Sequence, residues 1–296
     1  MPNFIIIGAA KAGTSSVFQY MGQHPEIFTS TPKEPSFFLF DSFVPEFKGP
    51  GDDAFYRTVV ADPDAYAALF AKAQNEKAVG EASTNYLHDE GAARRIHKRI
   101  PDVRLIVVLR NPVERAYSHY WMYRLAGRET ESFARALDQE EVRRSNNWGS
   151  GWQYGRTGCY AQHIGRFLTL FPRERLLITL YEDFERDPIS FMKDLFRFLN
   201  VDESFVPSMN VRYNVSGLPK SALTRFLLSS RHPIRQTLKN MVPKSVRFHL
   251  ATRLRQKYLS KPEMPEDCKD RLREMYRTDL ADLEKMLNRS LDHWIN

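Results

Sequence analysis

The sequence predicts an α/β fold of three layers, with a central parallel sheet between helices. Short runs rich in Ile, Val and Leu alternate along the chain with segments whose apolar residues recur at helical spacing. This alternation is typical of buried parallel strands connected by helices. Ligand sites in such sheets lie beyond the carboxyl ends of the strands. We therefore expect functional residues in the loops that directly follow strands.

Five segments have the composition of strands. They are short and mostly apolar, as expected of strands that are covered on both faces. The predicted strands are Phe4–Ile7, Ile27–Thr29, Ala78–Gly80, Val103–Leu109 and Leu176–Tyr181.

Helices are predicted between these strands from proline start signals and from apolar spacing. Asp62-Pro63 begins one helix and Pro112 begins another. A third helix is predicted from the positions of Tyr160, Ile164, Phe167, Leu168 and Phe171.

The C-terminal third is predicted to form a helical cover. It contains a basic helical segment at 220–262, and residues 220–261 of that segment hold eleven Lys or Arg and no Asp or Glu. A final helix starts near Pro265, and Trp294 is expected to pack as an anchor. One face of that helix is predicted to carry Leu272, Met275, Leu280, Leu283 and Leu287.

Two long loops, at 37–63 and 146–158, interrupt the pattern of strands and helices. The strand pattern resumes after each of them, so neither marks a domain boundary. We expect a single domain over residues 1–296.

Composition excludes several classes of protein. The chain has 296 residues, of which 42% are hydrophobic, so a disordered or fibrous protein is not expected. Two cysteines are too few for a disulfide framework and favour a reducing, cytoplasmic location without a structural metal. No export signal and no run of roughly 18 apolar residues is apparent. The protein is therefore expected to be soluble or peripherally associated with a membrane.

The positive charge of the chain is concentrated in one region. The formal net charge is +7, whereas the residues outside 220–261 comprise 32 basic and 36 acidic side chains. The basic segment is thus predicted to face an anionic acceptor or an anionic membrane surface. A nucleic-acid partner is not favoured, because the segment has few aromatic side chains for stacking bases.

The loop after the first strand has the features of an anion site. Gly8 to Ser16 link that strand to a helix, and Gly13 permits close approach of the backbone to a phosphate. Thr14, Ser15 and Ser16 add hydroxyl donors. The lysine of this loop is Lys11, whereas a nucleoside-triphosphatase loop places its lysine after the second glycine.

A second anion site is predicted after the fourth strand. Arg110 follows that strand directly, and its planar guanidinium is suited to bidentate binding of a phosphate. Ser118 lies two turns into the helix that Pro112 begins. One phosphate is expected to contact both Arg110 and Ser118.

These two segments resemble motifs of the sulfotransferases that use 3′-phosphoadenosine 5′-phosphosulfate (PAPS). Gly8–Ser16 resembles the family's 5′-phosphosulfate loop, and Arg110–Ser118 resembles its 3′-phosphate motif. The resemblance extends to 33–38, 80–87, 171–184 and 283–294, and it is closest to the bacterial and heparan-sulfate-type branch. It implies a P-loop-like three-layer α/β/α fold, and PAPS as the donor, released as adenosine 3′,5′-bisphosphate (PAP), with no metal required.

The resemblance also implies roles for individual residues. Lys11 is expected at the oxygen that bridges the donor's phosphate and sulfuryl groups, where it neutralises charge as the S–O bond breaks. The 5′ side is assigned to Lys11, Ala12, Gly13, Thr14, Ser15 and Ser16, and the 3′-phosphate to Arg110 and Ser118. A further cofactor loop is matched only by Asn214, Ser216, Gly217 and Lys220.

The acceptor needs a group that removes its proton, and the resemblance implies Glu81 in this role. His24 and His119 are rivals. However, His119 directly follows Ser118 on a helix, and one residue of helical rotation is expected to turn it away from the site. Lys33 and Glu34 lie in a loop that borders the acceptor site in this family, so they are assigned to substrate binding.

The sequence therefore predicts an enzyme, a sulfotransferase that acts on a hydroxyl of a carbohydrate, glycolipid or other natural product. One alternative is a nucleotide or small-metabolite kinase with a variant phosphate loop. A second alternative is a noncatalytic protein that binds membranes or polyanions.

Overall fold

A five-stranded, wholly parallel sheet forms the centre of the molecule. The computed structural model describes residues 1–40, 43–209, 218–219, 259–260 and 262–295. The strand order is β2-β3-β1-β4-β5. The strands are β1 (Phe4–Gly8), β2 (Ile27–Thr29), β3 (Ala78–Ala82), β4 (Arg104–Leu109) and β5 (Leu176–Leu180). All five predicted strands are confirmed, with ends that differ by at most two residues.

The sheet is buried because its central strands are apolar throughout. Every residue of β1 is buried, as are Leu105 to Leu109 of β4. Parallel strands that are covered on both faces need such continuous apolar runs, and burial of each large aliphatic side chain stabilises the fold by about 1.5–3 kcal/mol.

Helices connect and cover the strands. Asp62, Asn111 and Asp187 each cap a helix that begins with proline, as the start signals at 62–63 and 112 predict. The helices are α1 (Thr14–Met21), α2 (Asp52–Tyr56), α3 (Pro63–Ala68), α4 (Ala92–Arg99), α5 (Pro112–Leu125), α6 (Phe133–Asp138), α7 (Glu140–Ser145), α8 (Tyr160–Leu168), α9 (Tyr181–Arg186), α10 (Pro188–Leu199) and α11 (Glu266–Leu287).

The final helix of the predicted C-terminal cover is confirmed, with one correction to its buried face. Helix α11 packs against α8 and α5. Its buried residues are Cys268, Leu272, Tyr276, Leu280 and Leu283. The prediction for Met275 is wrong, because this side chain is 42% exposed and Tyr276 lies nearer the centre of the buried face.

The predicted anchor Trp294 holds the start of helix α5. Its ring is buried, and its indole N–H donates to Glu182 Oε1 at 2.8 Å. Its carbonyl accepts a hydrogen bond from Asn111 Nδ2 at 3.1 Å, while Asn111 Oδ1 caps α5. The C-terminus thereby fixes the helix that carries Ser118.

The two long loops, 37–63 and 146–158, are fastened to each other by one carboxylate. Asp52 Oδ2 accepts hydrogen bonds from the backbone N–H groups of Gly49 at 3.1 Å and Gly149 at 2.7 Å. Asp52 Oδ1 accepts from the indole of Trp152 at 3.0 Å. The buried Asp52 carboxylate, which belongs to the first loop, therefore binds Gly149 and Trp152 of the second loop.

A buried ion pair supports the second of these loops. Arg143 Nη1 lies 2.6 Å from Glu129 Oε2, which also accepts from the Tyr154 hydroxyl at 2.9 Å. The Arg143 guanidinium lies 5.1 Å and 4.9 Å from the ring centroids of Trp148 and Trp152. Charge and aromatic contacts together set the path of 146–158.

Most of the basic segment lies outside the described residues, as do Asn214, Ser216, Gly217 and Lys220. Only Leu218–Pro219 (β6) and Leu259–Ser260 (β7), which pair as antiparallel strands, are described in this part of the chain. The single-domain organisation of 1–296 stays a prediction. None of the helices in the described ranges has the length and apolar character that crossing a membrane requires.

Candidate active site

A cavity of about 480 Å³ opens beyond the carboxyl ends of the strands. The residues that line it follow β1, β3, β4 and β5, where the fold class predicts a ligand site. Its lining includes Ala10, Lys11, Gly13, Thr14, Ser15, Ser16, Tyr20, Glu34, Asp52, Phe55, Tyr56, Thr84, Asn85, Arg110, Ser118, His119, Met122, Tyr123, Arg128, Gly151, Tyr181, Phe184, Glu185, Pro188 and Met209. Both predicted anion motifs thus face one cavity.

The phosphate loop presents the N-terminus of α1 to this cavity. Gly13 precedes the helix with a φ of 81°, and no side chain caps the helix there. A Cβ atom at Gly13 would lie 2.6 Å from the Tyr181 ring, so only glycine fits. The positive end of the helix dipole therefore faces the cavity beside Thr14, Ser15 and Ser16.

Of the six residues assigned to the 5′ side of the donor, Lys11 to Ser16, only Ala12 does not line the cavity. Its side chain is fully buried in the core, and its backbone N–H donates to the Ala9 carbonyl at 3.2 Å. Its contribution to the site is the shape of the loop.

Arg110 joins the two anion motifs. Its Nη1 donates to the Lys11 carbonyl at 3.4 Å, and its Cζ lies 5.3 Å from the centroid of the Tyr181 ring. Its Nη2 pairs with Glu114 at 2.6 Å, and 58% of the Glu114 side chain is exposed. An exposed pair of this kind is weak, so a bound phosphate competes well for the guanidinium.

Helix α5 orders the site along its length. Ser118, the last residue of the Arg110 motif, is one helical turn from Met122. The sulfur of Met122 lies 3.7 Å from Lys11 Nζ. One turn is about 5.4 Å. The chain then reverses at Gly127, where the φ is 70°, and Arg128 lies over the Tyr123 ring with its Cζ 5.5 Å from the centroid. Lys11 therefore lies between the Arg110 end of the cavity and the Arg128 end.

His119 also lines the cavity, so the expectation that helical rotation turns it away is wrong. The cavity follows an arc of the α5 surface that takes in Ser118, His119, Met122 and Tyr123, which is wider than a single stripe. Burial, with the positive charge of Arg115, holds the pKa of His119 well below its usual value, so the ring is neutral.

Arg115 also determines which nitrogen of His119 carries the proton. The buried Arg115 Nη1 lies 3.4 Å from His119 Nδ1. A guanidinium only donates, so Nδ1 accepts and the proton of the neutral ring is on Nε2. His119 is thus a hydrogen-bond donor through Nε2.

His24 does not reach the cavity. Its Nδ1 accepts from the backbone N–H of Glu26 at 3.0 Å, and its Nε2 bonds to the Asp202 carbonyl at 2.8 Å. The ring packs against Phe196 and Phe205. Its role is structural.

Glu34 and Lys33 occupy the loop after β2, and only Glu34 lines the cavity. Lys33 Nζ lies 2.7 Å from Glu34 Oε1, which also accepts from the Thr84 hydroxyl at 3.4 Å. Glu34 has a φ of 63°, a left-handed conformation that is unusual for a residue other than glycine. The loop thus directs the Glu34 carboxylate to the cavity and places Lys33 behind it.

Glu81 is fully buried and lies behind the cavity wall. Its carboxyl group receives hydrogen bonds from three hydroxyls: Tyr66 at 3.1 Å, Tyr86 at 2.9 Å and Ser83 at 2.6 Å. Burial raises the pKa of Glu81 to about 7, although these hydrogen bonds act in the opposite direction.

Several residues of the cavity have no clear signal in the sequence. Tyr181 was assigned to the last strand, and its position at the strand end could have suggested a site residue. Asp52, Phe55 and Arg128 lie far from any recognisable motif and reach the cavity only through loop contacts. Among the described residues, no group of three or more His, Cys, Asp or Glu side chains is arranged to hold a metal ion.

Two comparisons with known proteins match nearly the whole chain. The family model described as "Sulfotransferase domain" matches residues 1–284. The crystal structure of a sulfotransferase from Alicyclobacillus acidocaldarius is 33% identical, with a TM-score of 0.80, and the match covers 100% of this chain and 99% of that one.

Two human relatives match part of their length. The bifunctional heparan sulfate N-deacetylase/N-sulfotransferase 3 is 28% identical over 219 residues, which are 68% of this chain and 22% of the relative. The heparan sulfate glucosamine 3-O-sulfotransferase 6 is 29% identical over 187 residues, 63% of this chain and 48% of the relative. The match thus spans less than half of either relative. The family match over residues 1–284, with the paired anion motifs on one cavity, shows that this chain belongs to the sulfotransferase family and has its P-loop-like α/β fold.

Proposed function

We propose that this protein transfers a sulfuryl group from PAPS to an acceptor hydroxyl and releases PAP. The observation that carries the proposal is the meeting of the Lys11 loop with Arg110 and Ser118 on one cavity. The reaction is that of the family to which the chain belongs.

The residues of the cavity fit a donor with phosphates at two places. The α1 N-terminus at Gly13, with Thr14 to Ser16, is suited to the 5′ side, and Arg110 with Ser118 is suited to the 3′-phosphate. The Tyr181 ring lies between the two motifs, against both Gly13 and Arg110.

Lys11 is proposed to be the group that assists the leaving phosphate. When bound, the donor supplies a sulfuryl group, whose bond to the bridging oxygen breaks as the acceptor oxygen attacks sulfur. The Lys11 ammonium neutralises the charge that develops on that oxygen, an effect worth about 10²- to 10³-fold in rate for a single positioned group. His119 Nε2–H adds a neutral donor on the same wall.

The proton of the acceptor hydroxyl is expected to go to the Glu34 carboxylate. Glu34 lines the cavity, whereas Glu81 lies behind its wall and His119 carries a proton on the nitrogen that is available. Of the other two carboxylates on the lining, Asp52 already accepts three hydrogen bonds, and Glu185 lies on α9 with Tyr181, beside the donor motifs. The family resemblance implies that Glu81 is the base, and this stays a prediction. The variants described below distinguish a base role of Glu81 from a base role of Glu34.

The acceptor is proposed to be a carbohydrate, glycolipid or other natural product with a hydroxyl group. The Arg128 end of the cavity is lined by Phe55, Tyr56 and Tyr123, whose flat faces suit a sugar or aromatic ring. The 37–63 and 146–158 loops both contribute residues to this end, so we propose that they select the acceptor. Lys33 is proposed to act on substrate through Glu34, with which it pairs.

Two measurements test the proposal. Calorimetry should show binding of PAP without magnesium, and labelled PAPS should transfer its sulfur to a component of a hydroxyl-rich extract. Lys11→Ala should abolish the transfer, whereas the exposed control Lys98→Ala should not. Tighter binding of magnesium–ATP than of PAP would indicate the kinase, and salt-sensitive vesicle binding without PAP binding would indicate the noncatalytic protein.

The cytoplasmic location, a bacterial origin, a membrane role for 220–261 and the absence of a metal also stay predictions. Salt-dependent binding to vesicles of anionic and of neutral lipids would test the membrane role. The full chain would be compared with a variant that has Gln in place of the Lys and Arg residues of 220–261.

A further inference from the structure

We propose that Glu81 is a positioning residue, whose carboxyl group organises the Ser83 and Tyr86 hydroxyls that hold the Glu34 loop against the cavity. The inference rests on the proposed function, because it assigns Glu34 and not Glu81 to proton removal. It concerns residues 34–39, called here the Glu34 loop.

Three hydroxyl groups surround the carboxyl group of Glu81. Oε1 of Glu81 accepts from the Tyr66 and Tyr86 hydroxyls, and Oε2 lies 2.6 Å from Ser83 Oγ. All of these groups are buried. A hydroxyl has one proton, so a hydroxyl that donates to Glu81 offers only lone pairs to other partners.

The lone pairs of the Ser83 and Tyr86 hydroxyls accept hydrogen bonds from backbone N–H groups. Ser83 Oγ accepts from the backbone N–H of Ser36 at 3.0 Å, and the Tyr86 hydroxyl accepts from the backbone N–H of Phe38 at 3.2 Å. Each hydroxyl therefore links Glu81 to one amide of the Glu34 loop. Without Glu81, both hydroxyls lose the partner that fixes their orientation.

The Glu34 loop needs external support. Glu34 and Ser36 have φ values of 63° and 58°, which are unfavourable for residues with a Cβ atom. The remaining backbone ties are Glu34 N–H to the Ala82 carbonyl and Val60 N–H to the Pro35 carbonyl, both at 2.9 Å, and Arg95 Nε to the Phe38 carbonyl at 2.7 Å. The two hydroxyl links are thus two of the five backbone hydrogen bonds that hold this strained stretch to its neighbours among the described residues.

The arrangement works with a proton on Glu81. In the neutral acid, Oε1 still accepts from both tyrosines, and the carboxyl proton lies between Oε2 and Ser83 Oγ, whose other lone pair accepts from Ser36. Burial favours this form, since it raises the pKa of Glu81 to about 7. The other ionisable groups that act on this cluster are Glu34, Tyr66 and Tyr86, with Arg99 acting on Tyr66. A glutamine at position 81 reproduces the neutral form, with its amide donating to Ser83.

The test compares variants of the full chain by amide hydrogen exchange. Glu81→Gln should leave the Ser36 and Phe38 amides as slow as in the parent protein. Glu81→Ala should accelerate both, and Tyr86→Phe should accelerate Phe38 alone, each by about tenfold for one lost hydrogen bond. Should Glu81→Ala not fold, Tyr86→Phe and Ser83→Ala carry the comparison.

A second arm uses PAPS and the acceptor found in the extract. Glu81→Gln should keep the single-turnover rate within about threefold, whereas Glu34→Gln should lower it by 10²-fold or more with unchanged PAP affinity. Equal losses in both variants, with slow amides in Glu81→Gln, would overturn the proposal and make Glu81 the base. Slow Ser36 and Phe38 amides in Glu81→Ala and in Tyr86→Phe would overturn it as well. Failure to bind PAP would instead refute the proposed function and leave the exchange result standing.

Discussion

The sulfur of Met122 lies 3.7 Å from the ammonium nitrogen of Lys11, so the loop after β1 and the last turn of helix α5 meet at one point of the cavity. On that helix, Ser118 of the Arg110 motif lies one turn before Met122, and Tyr123, whose ring Arg128 covers, follows it. The proposed reaction requires this order, with the leaving phosphate and the acceptor on opposite sides of the lysine.

Removal of the Lys11 ammonium should abolish transfer while largely sparing the fold. In Lys11→Ala, rapid-quench single-turnover rates are expected to fall by about 10²- to 10³-fold, because the charge on the leaving phosphate is no longer neutralised. Lys98→Ala removes an exposed lysine elsewhere and serves as the matched control. Near-normal turnover in Lys11→Ala would contradict the assigned role.

Arg110 should act on the 3′-phosphate alone. Arg110→Ala is expected to weaken PAP binding by about 10- to 100-fold, the usual effect of losing a charged hydrogen bond. Calorimetry with adenosine 5′-phosphosulfate, which has no 3′-phosphate, should show little difference between this variant and the parent. If both ligands lose affinity equally, Arg110 supports the loop rather than the phosphate.

His119 should stay neutral across the physiological range. Its pKa lies well below the usual value because of burial and Arg115, so its ring should not titrate near the usual value of 6.5. Nitrogen-15 NMR should show the proton on Nε2, and Arg115→Gln should weaken that preference. A titration near pH 6.5, or a proton on Nδ1, would rule out the donor role.

These expectations show which parts of the site can be predicted from sequence. The strands and the two anion motifs could be predicted because each depends on a local pattern in the sequence. That pattern is an apolar run followed by glycine, lysine or arginine, and it does not depend on contacts with distant residues. The orientation of His119 was mispredicted because the width of the cavity around α5 depends on distant loops. Asp52 and Arg128 reach the cavity only through long-range contacts, which no local pattern encodes. Glu34 follows β2 and Glu81 lies within the neighbouring strand β3, and only packing puts one on the cavity and the other behind it.

Glu81 should make the stability of the protein depend on pH. Its pKa is about 7 in the folded protein and near 4.5 in the unfolded chain, so the unfolded chain ionises first as the pH rises. The free energy of unfolding should therefore fall between pH 4.5 and 7, by about 3 kcal/mol in full. Glu81→Gln should remove this decline. Denaturant titrations of both proteins at a series of pH values provide the test, and parallel curves would contradict it.

The Arg143–Glu129 pair should be needed for stability. Arg143→Leu leaves the buried Glu129 carboxylate without its partner and is expected to cost about 3–5 kcal/mol in urea unfolding. The adjacent Arg144→Ala breaks only an exposed pair with Glu141, so its cost should be below about 1 kcal/mol. Similar losses in the two variants would show that burial of the pair is not what matters.

The hydrogen bonds of Asp52 have a consequence for how acceptor preference changes during divergence. One carboxylate ties 37–63 to Gly149 and Trp152 of the other loop, so a substitution that moves either loop shifts both walls of the acceptor end. The two loops should therefore vary together, as a single cassette. Exchanging both between relatives should transfer acceptor preference, whereas exchanging one should yield a poorly folded hybrid.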